Sequence, residues 1–346
     1  MAFSWPFHGP ERAEYDRPTV PGLRIGILGA ARIAPAALVR PARHVPEAVV
    51  TSVAARDPAK ARAFAAKHGI GQTHETYDAL IEDAGIDAIY NPLPNGLHGL
   101  WTKRALEAGK AVLCEKPFTN NAAEAGEVAA VAERTGRAVV EAFHYRYHPL
   151  AARMLEIVQS GELGTIERVE TWECFPLPRF QDIRYQYELG GGALMDAGCY
   201  AVHMARLLGL GEPEVVEARA KLHSREVDRA MQAEIRFPAG HTGTITCSMW
   251  SSTLLRMGVR VTGSAKVLRV LNPTVPQLYH RLSVKGGGAS RVEHLSRRPT
   301  YEYQLETFCA TVLRGEPSLT PPADSIANMK VIDAIYTAAG MHPRGT

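Results

Sequence analysis

Leu23 to Ala34, LRIGILGAARIA, constrains the fold of this chain more than any other stretch. Leu23, Ile25 and Ile27 supply strand-forming side chains. Gly29 opens a turn closed to most residues, and the helix-forming segment after it aims its first backbone N–H groups at an anion beyond the strand end. That is how a phosphate-binding first βα turn begins. The full fingerprint is G-x-G-x-x-G/A. Here it reads Gly29, Ala30, Ala31, Arg32, Ile33, Ala34, so the methyl of Ala31 stands at the middle glycine's place. Gly29, Ala31, Arg32 and Ile33 are the expected cofactor contacts of this turn. Taken alone, Gly26 and Gly29 also suit simple close packing in any α/β protein.

Strand and helix then alternate. Strands are expected over residues 49–54, 71–74, 86–90, 111–114 and 138–142. Helices are expected over 33–40, 59–68, 76–83, 97–108 and 121–134, the last opened by a capping box of Asn121 and Glu124. This alternation implies a parallel sheet covered on both faces. At 346 residues the chain exceeds one core. The fold expected is α/β: a Rossmann-type parallel-sheet domain over 22–144, then an α+β domain over 145–340. In the second domain, alternating runs at 166–173, 215–222, 230–237, 243–250, 257–263 and 266–270 read as a large, predominantly antiparallel open sheet. Residues 281–298 are ambiguous. Helices are expected over 150–160, 194–208, 301–314 and 323–339, and a C-terminal helix can pack back on the first domain. An open sheet of this size is a common surface for a homodimer or tetramer.

Composition narrows the function class. The formal charge of +3 offers no case for nucleic acid, and no apolar run reaches membrane-spanning length. The five cysteines are far apart, with no Cys-x-x-Cys, which excludes a zinc knuckle and argues for no disulfide framework. Residues 1–21 lack an apolar signal core and read as a mobile or draped arm. A cytoplasmic home follows.

The strand ends carry the chemistry, because ligands of open parallel sheets sit beyond the carboxyl ends of the strands. After the second strand an acid would hold the ribose of NAD. The chain has Ala54, Ala55, Arg56, Asp57 there, and an arginine after small residues fits a 2′-phosphate, with Lys60 adding charge one turn on. NADP(H) is favoured, while Asp57 keeps NAD(H) open. Pro92 and Asn95 follow the next strand end, with His98 at a helix start, and Glu115-Lys116-Pro117 follow the one after. A lysine low in a cleft, its pKa lowered by desolvation, can bond a substrate oxygen and help move its proton. Glu115 can pair with that lysine or with a ribose. Further on, Asp196 and Tyr200 share one helix face. Trp172, Phe180, Arg184 and Tyr185 offer substrate contacts from a strand and an arginine- and aromatic-rich loop, 175–187, that can cover a cleft. The same loop can equally be packed on its own aromatics. His144 and His148 have the four-residue spacing of a helical zinc pair, but the adjacent glutamate of H-E-x-x-H is absent, and no metal is expected.

From Leu23 to Ala339 the chain resembles the glucose-fructose oxidoreductase / inositol dehydrogenase / MocA-like family. The residues carrying the likeness are the Gly29 turn, Asn95 with His98, Glu115-Lys116-Pro117, Glu141 with Arg146, and Gly191 through Tyr200, whose Asp196, Gly198 and Tyr200 form an Asp-x-Gly-x-Tyr run. Within it, Val53-Ala54-Ala55-Arg56-Asp57 and Glu141-Ala142-Phe143 are similar to the branch of dimeric dihydrodiol dehydrogenase and NADP-dependent xylose dehydrogenase. The resemblance implies hydride transfer between a nicotinamide cofactor and a sugar, polyol or dihydrodiol. It implies that Lys116 contacts the reacting oxygen, that Asp196 orients substrate, and that Arg146 lies on the substrate side. Tyr200 stands where many members have histidine. As an acid–base group it needs help, and Lys116 beside it is expected to lower its pKa. An aldose-aldose oxidoreductase that retains its cofactor, and a non-catalytic dinucleotide-binding sensor or scaffold, remain open alternatives.

Overall fold

Six strands run parallel in the order β3–β2–β1–β4–β5–β6: β1 Leu23–Leu28, β2 Ala48–Ala54, β3 Gln72–His74, β4 Ala88–Asn91, β5 Ala111–Cys114 and β6 Val139–Glu141. The structure is a computed structural model and describes residues 22–345; the arm at 1–21 lies outside the described residues. The apolar side chains Leu23, Ile25, Ile27 and Leu28 are fully buried, as a sheet covered on both faces requires. Ile27 pairs with Val53 on one side and Tyr90 on the other. The strand order reverses between β1 and β4, which opens a crevice at their carboxyl ends.

The helices α1 Pro58–His68, α2 Tyr77–Glu82, α3 His98–Glu107 and α4 Ala122–Thr135 alternate with these strands. Asn121 caps α4 by accepting from the Glu124 amide at 2.9 Å, while Glu124 reaches back to the Asn120 amide rather than that of Asn121, so the box is shifted by one residue. The segment after the glycine turn differs from a regular helix. It is a single wide turn, Pro35–Val39, closed by the Arg40 amide on the Pro35 carbonyl, then a 3₁₀ turn, Pro41–Arg43. Pro35 and Pro41 bracket it, and neither can donate a helical hydrogen bond.

The second sheet, eight-stranded among the described residues, has the order β14–β13–β12–β11–β7–β10–β9–β8. Its strands are β7 Ile166–Cys174, β8 Glu214–Ser224, β9 Val227–Arg236, β10 Thr242–Ser248, β11 Arg256–Gly263, β12 Val267–Leu271, β13 Arg281–Gly286 and β14 Ala289–Glu293. All its pairings are antiparallel except β7 with β10. The ambiguous stretch after residue 281 is thus the β13–β14 hairpin. One face is covered by helices α5 Pro149–Gln159, α6 Cys199–Gly209 and α8 Pro322–Ala338. Helix α7, Thr300–Arg314, returns to the first sheet, where Leu305 and Phe308 join Ile25, Leu38 and Val53 in one core.

Residues 194–208 are not one regular helix. Leu194–Gly198 is a wide π turn that runs into α6. It starts at Gly192, whose φ of +139° excludes most side chains and whose Cα faces Asp228, Tyr336 and Arg344 so closely that a Cβ would collide with all three. The first sheet's strand ends, the π turn and the N-terminal part of α6 therefore meet at one place.

Candidate active site

Lys116 lies two residues past the end of β5, and its ammonium donates a hydrogen bond to the Asp196 carbonyl oxygen at 2.8 Å. The Asp196 carboxylate is 3.7 Å away, and the Tyr200 ring centroid is 4.9 Å from the same nitrogen. Three residues far apart in sequence thus surround one ammonium, and the reason is topological: β5 ends where the π turn begins. Burial is the largest influence on Lys116 and pushes its pKa down, but Asp196, Cys199 and Glu115 together carry it above the ordinary lysine value. The lowered lysine expected from desolvation alone is corrected here; Lys116 is a fixed cation.

The expected effect on Tyr200 is reversed as well. Its phenol is 7% exposed, and burial, with Tyr301, Glu115, Cys199 and Glu173 adding to it, raises its pKa well above that of free tyrosine. Lys116 does not overcome these. Tyr200 holds its proton at neutral pH, the state of a proton donor. Its hydroxyl is 3.0 Å from His144 Nε2, and His144 Nδ1 is 2.8 Å from Thr300 Oγ1. Glu173, on the inner face of β7, is a buried carboxyl that accepts from Thr274 Oγ1 at 2.8 Å and is pushed up to about 7 by burial. Neither role, of His144 or Glu173, is visible in the sequence, because each depends on contacts over long separations.

A relay of alternating charge joins this centre to the glycine turn. Asp196 Oδ2 lies 3.2 Å from Arg184 Nε, Arg184 Nη1 lies 3.7 Å from Asp182, and Asp182 lies 3.2 Å from Arg32. The loop before the π turn is therefore strapped across the crevice, with Arg184 held between Asp196 and Asp182. Gly29 has a φ of +86°, the left-handed conformation its turn needs, and a Cβ there would press on Leu93. Ala31 is half-buried beside it, Arg32 is exposed, and Ile33 presents an exposed apolar side chain at the same mouth.

At the end of β2, Arg56 and Lys60 are exposed, while the Asp57 carboxylate accepts from the Ala59 amide at 2.9 Å and caps α1. The acid that kept NAD open is thus engaged as a helix cap. The residues fit a dinucleotide with a 2′-phosphate: a left-handed glycine turn, a free guanidinium and ammonium at the β2 end, and a crevice at the strand-order reversal. Pro92 is buried on the crevice wall, and Asn95 Nδ2 donates to the Gly190 carbonyl at 3.1 Å, tying the β4 turn to the second domain.

Several expected contacts lie elsewhere. His98 is buried with Nδ1 2.7 Å from the Pro117 carbonyl and Nε2 2.8 Å from that of Leu93; burial lowers its pKa to about 4. Both ring nitrogens face the backbone, so His98 braces two strand-end turns and leaves neither ring nitrogen free. Glu115 turns inward and accepts from Tyr90 at 2.7 Å. Trp172 points to the outer face of the second sheet, under the Arg256 guanidinium at 3.7 Å, because its neighbours Thr171 and Glu173 take the inner face. Tyr185 is buried and donates to the Leu177 carbonyl, and Phe180 packs on Tyr185, His223 and Trp250, so these rings anchor the strap. Arg146 lines a separate cavity of about 160 Å³ with His203, Arg206 and Asp324. It lies two residues from His144 in a 3₁₀ turn, His144–Tyr147, which sends the two side chains to different sides. His148 accepts from the Leu150 amide at 3.1 Å and caps α5.

The NAD-binding Rossmann-fold description of an oxidoreductase family matches residues 23–143, and the GFO/IDH/MocA C-terminal domain matches residues 151–269. The chain belongs to the GFO/IDH/MocA oxidoreductase family. A D-xylose 1-dehydrogenase (NADP(+)) of Haloferax volcanii is 36% identical over 92% of this chain and 97% of its own. A 3-ketoreductase from Actinomadura kijaniata, solved with NADP and TDP-benzene, is 30% identical with a TM-score of 0.86, over 92% of this chain and 98% of that one. An aldose-aldose oxidoreductase from Caulobacter crescentus, solved with glycerol, is 25% identical with a TM-score of 0.85, over 92% and 98%. No helix among the described residues is long and apolar enough to cross a membrane.

Proposed function

We propose that this enzyme transfers a hydride between NADP(H) and a sugar, polyol or dihydrodiol-type alcohol and its carbonyl. The observation that carries the reading is the meeting of the Lys116 ammonium, the Asp196 carboxylate and the protonated Tyr200 phenol at the carboxyl end of β5, beside a glycine turn built for phosphate. Variants of the Actinomadura reductase were solved with a substituted lysine and a substituted tyrosine, separated in that chain by the same number of positions as Lys116 and Tyr200 here.

Gly29, Ala31, Arg32, Ile33 and Pro92 would hold the dinucleotide, with Arg56 and Lys60 on its 2′-phosphate. When bound, the nicotinamide supplies or accepts the hydride. Lys116 holds the substrate oxygen and stabilises charge growing on it. Tyr200 donates the proton in reduction and receives it in oxidation. Asp196 and Arg184 orient neighbouring hydroxyls, and the strap excludes water. Pentoses and keto sugars are the first substrates to try, since relatives are named as a D-xylose dehydrogenase and a keto-sugar reductase. A panel of aldoses, polyols, keto sugars and aromatic dihydrodiols, followed at the NADPH absorbance band, tests the reading. Turnover with one class supports it, while bound NADPH with no turnover across the panel refutes it in favour of a sensor. Cofactor retained through gel filtration, with one sugar oxidised as another is reduced, marks the aldose-aldose variant.

We also propose two units, 22–144 for the dinucleotide and 145–340 for substrate and assembly. The copies pair through the outer face of the second sheet, where Trp172 and exposed Leu271 sit in one cross-strand row with Gly258 between them. All five cysteines are free and buried, which suits a reducing cytoplasm.

A further inference from the structure

Tyr200 meets a second group besides Lys116, and the hydrogen bonds behind it form a defined path. His144 is 2% exposed, with Nε2 on the Tyr200 hydroxyl and Nδ1 on the hydroxyl of Thr300, itself fully buried on α7. The imidazole is held in place by the Tyr301 ring, centroids 4.1 Å apart. We propose that His144 is a positioning residue for the acid–base step: an imidazole whose Nε2–H steadies the Tyr200 phenolate and whose Nδ1 is kept paired by Thr300. The inference rests on Tyr200 being the proton donor.

The chemistry follows from donor counting. In reduction the substrate carbonyl carbon gains a hydride from NADPH and its oxygen gains the Tyr200 proton. The C=O bond becomes CH–OH, NADPH becomes NADP⁺, and Tyr200 is left as a phenolate until water returns its proton. A phenolate only accepts hydrogen bonds, so its lone pairs need a donor that burial has not removed. Burial is the main reason the His144 pKa falls to about 3, with Lys116 and His148 adding to it, so the ring carries one proton. With that proton on Nε2, His144 donates to Tyr200 Oη and accepts from the Thr300 hydroxyl at Nδ1. With it on Nδ1, Nε2 accepts a hydrogen bond from the resting phenol and Nδ1 donates to the Thr300 hydroxyl. A threonine hydroxyl serves either tautomer, since it donates or accepts. The ring therefore follows Tyr200 between phenol and phenolate without leaving a buried group unpaired.

The groups facing Tyr200 come from every element around it. They are Cys199 from its own segment, Glu115 and Lys116 from the β5 end, Glu173 from β7, Tyr301 from α7, and His144 and Tyr145 from the crossover. Of these, the Lys116 cation over the ring and the His144 nitrogen at the hydroxyl are the groups able to stabilise a phenolate. Tyr145 is engaged with His203 Nδ1 and is not a donor to spare.

The test compares His144→Leu, His144→Gln and Thr300→Val with Tyr200→Phe and the double variant His144→Leu/Tyr200→Phe. Losing a hydrogen bond to a charged group predicts a drop in kcat of about 10- to 100-fold for His144→Leu, with KM and NADPH binding within about twofold. The ascending limb of the oxidation pH profile, which reports the loss of the Tyr200 proton, moves up by about one unit or more. His144→Gln keeps an amide donor and recovers most of the rate, and Thr300→Val loses several-fold by leaving the buried His144 Nδ1 without its partner. In the Tyr200→Phe background His144→Leu has no further effect. A full rate in Tyr200→Phe sinks the proton-donor reading itself. A crippled Tyr200→Phe with an unmoved pH profile in His144→Leu, or losses that simply multiply in the double variant, overturns the inference alone. Should His144→Leu fail to fold, Thr300→Val with an unchanged profile overturns it equally.

Discussion

Arg344 is fully buried near the end of the chain, and replacing it by methionine has a predictable cost. Its Nε donates to the Gly191 carbonyl at 2.7 Å, and Nη2 lies 3.0 Å from Asp228, also fully buried. The guanidinium stacks on Tyr336 at 4.2 Å. Asp228 in turn accepts from the Leu194 amide at 2.8 Å and from Tyr336 at 2.9 Å, so the clamp fixes the turn that leads to Asp196 and Tyr200. Removing one partner of a buried ion pair costs about 3–5 kcal/mol. Asp228 would retain two donors, so the low end, about 3 kcal/mol at pH 7, is expected, seen as a fall in Tm of roughly 5 °C for a chain of this length. Burial already raises the Asp228 pKa and Arg344 is the main influence opposing it. Without Arg344 the folded-state pKa rises further, the folded protein binds more protons than the unfolded one above about pH 4, and stability falls as pH rises through that window. The deficit of Arg344→Met should therefore shrink from pH 7 to pH 5. Arg344→Met/Asp228→Asn should recover much of it, since the amide leaves no charge stranded. Urea unfolding at both pH values decides the matter. A loss under about 1 kcal/mol, a deficit independent of pH, or no rescue by the asparagine would refute the account.

Arg56→Ala should weaken NADP⁺ binding by tenfold or more and NAD⁺ by about twofold at most, since a guanidinium–phosphate contact contributes about 1.5–3 kcal/mol; equal losses in fluorescence titrations would reject the phosphate role. Burial pushes Glu141 up to about 8, so the folded protein holds its proton and stability drains by up to about 1.4 kcal/mol per pH unit between its unfolded value and pH 8. Glu141→Gln should flatten that dependence in thermal melts from pH 5 to 8, and an unchanged slope counts against it. Trp172→Arg should leave kcat/KM untouched and lower the sedimentation coefficient if copies pair through the outer sheet face; impaired kinetics in a variant of unchanged mass would put Trp172 back beside substrate.

Local information carried the alternating β–α pattern, the cap at Asp57 and the strand ends, because periodicity, glycine turns and capping act over a few residues. Residue types at those strand ends were enough to single out Gly29, Arg56 and Lys116, while the family resemblance singled out Asp196 and Tyr200. Tertiary packing decided what each of them does. Asp196 and its neighbours outweigh desolvation at Lys116, burial keeps the proton on Tyr200, and Asp57 is occupied by its own helix. It also turned Trp172 outward and Arg146 into another cavity, and brought His144 and Thr300, remote in sequence, behind the phenol. Burial and field are sums over atoms from the whole chain, so no short stretch contains them, whereas a strand, a turn or a cap is contained in the residues that make it.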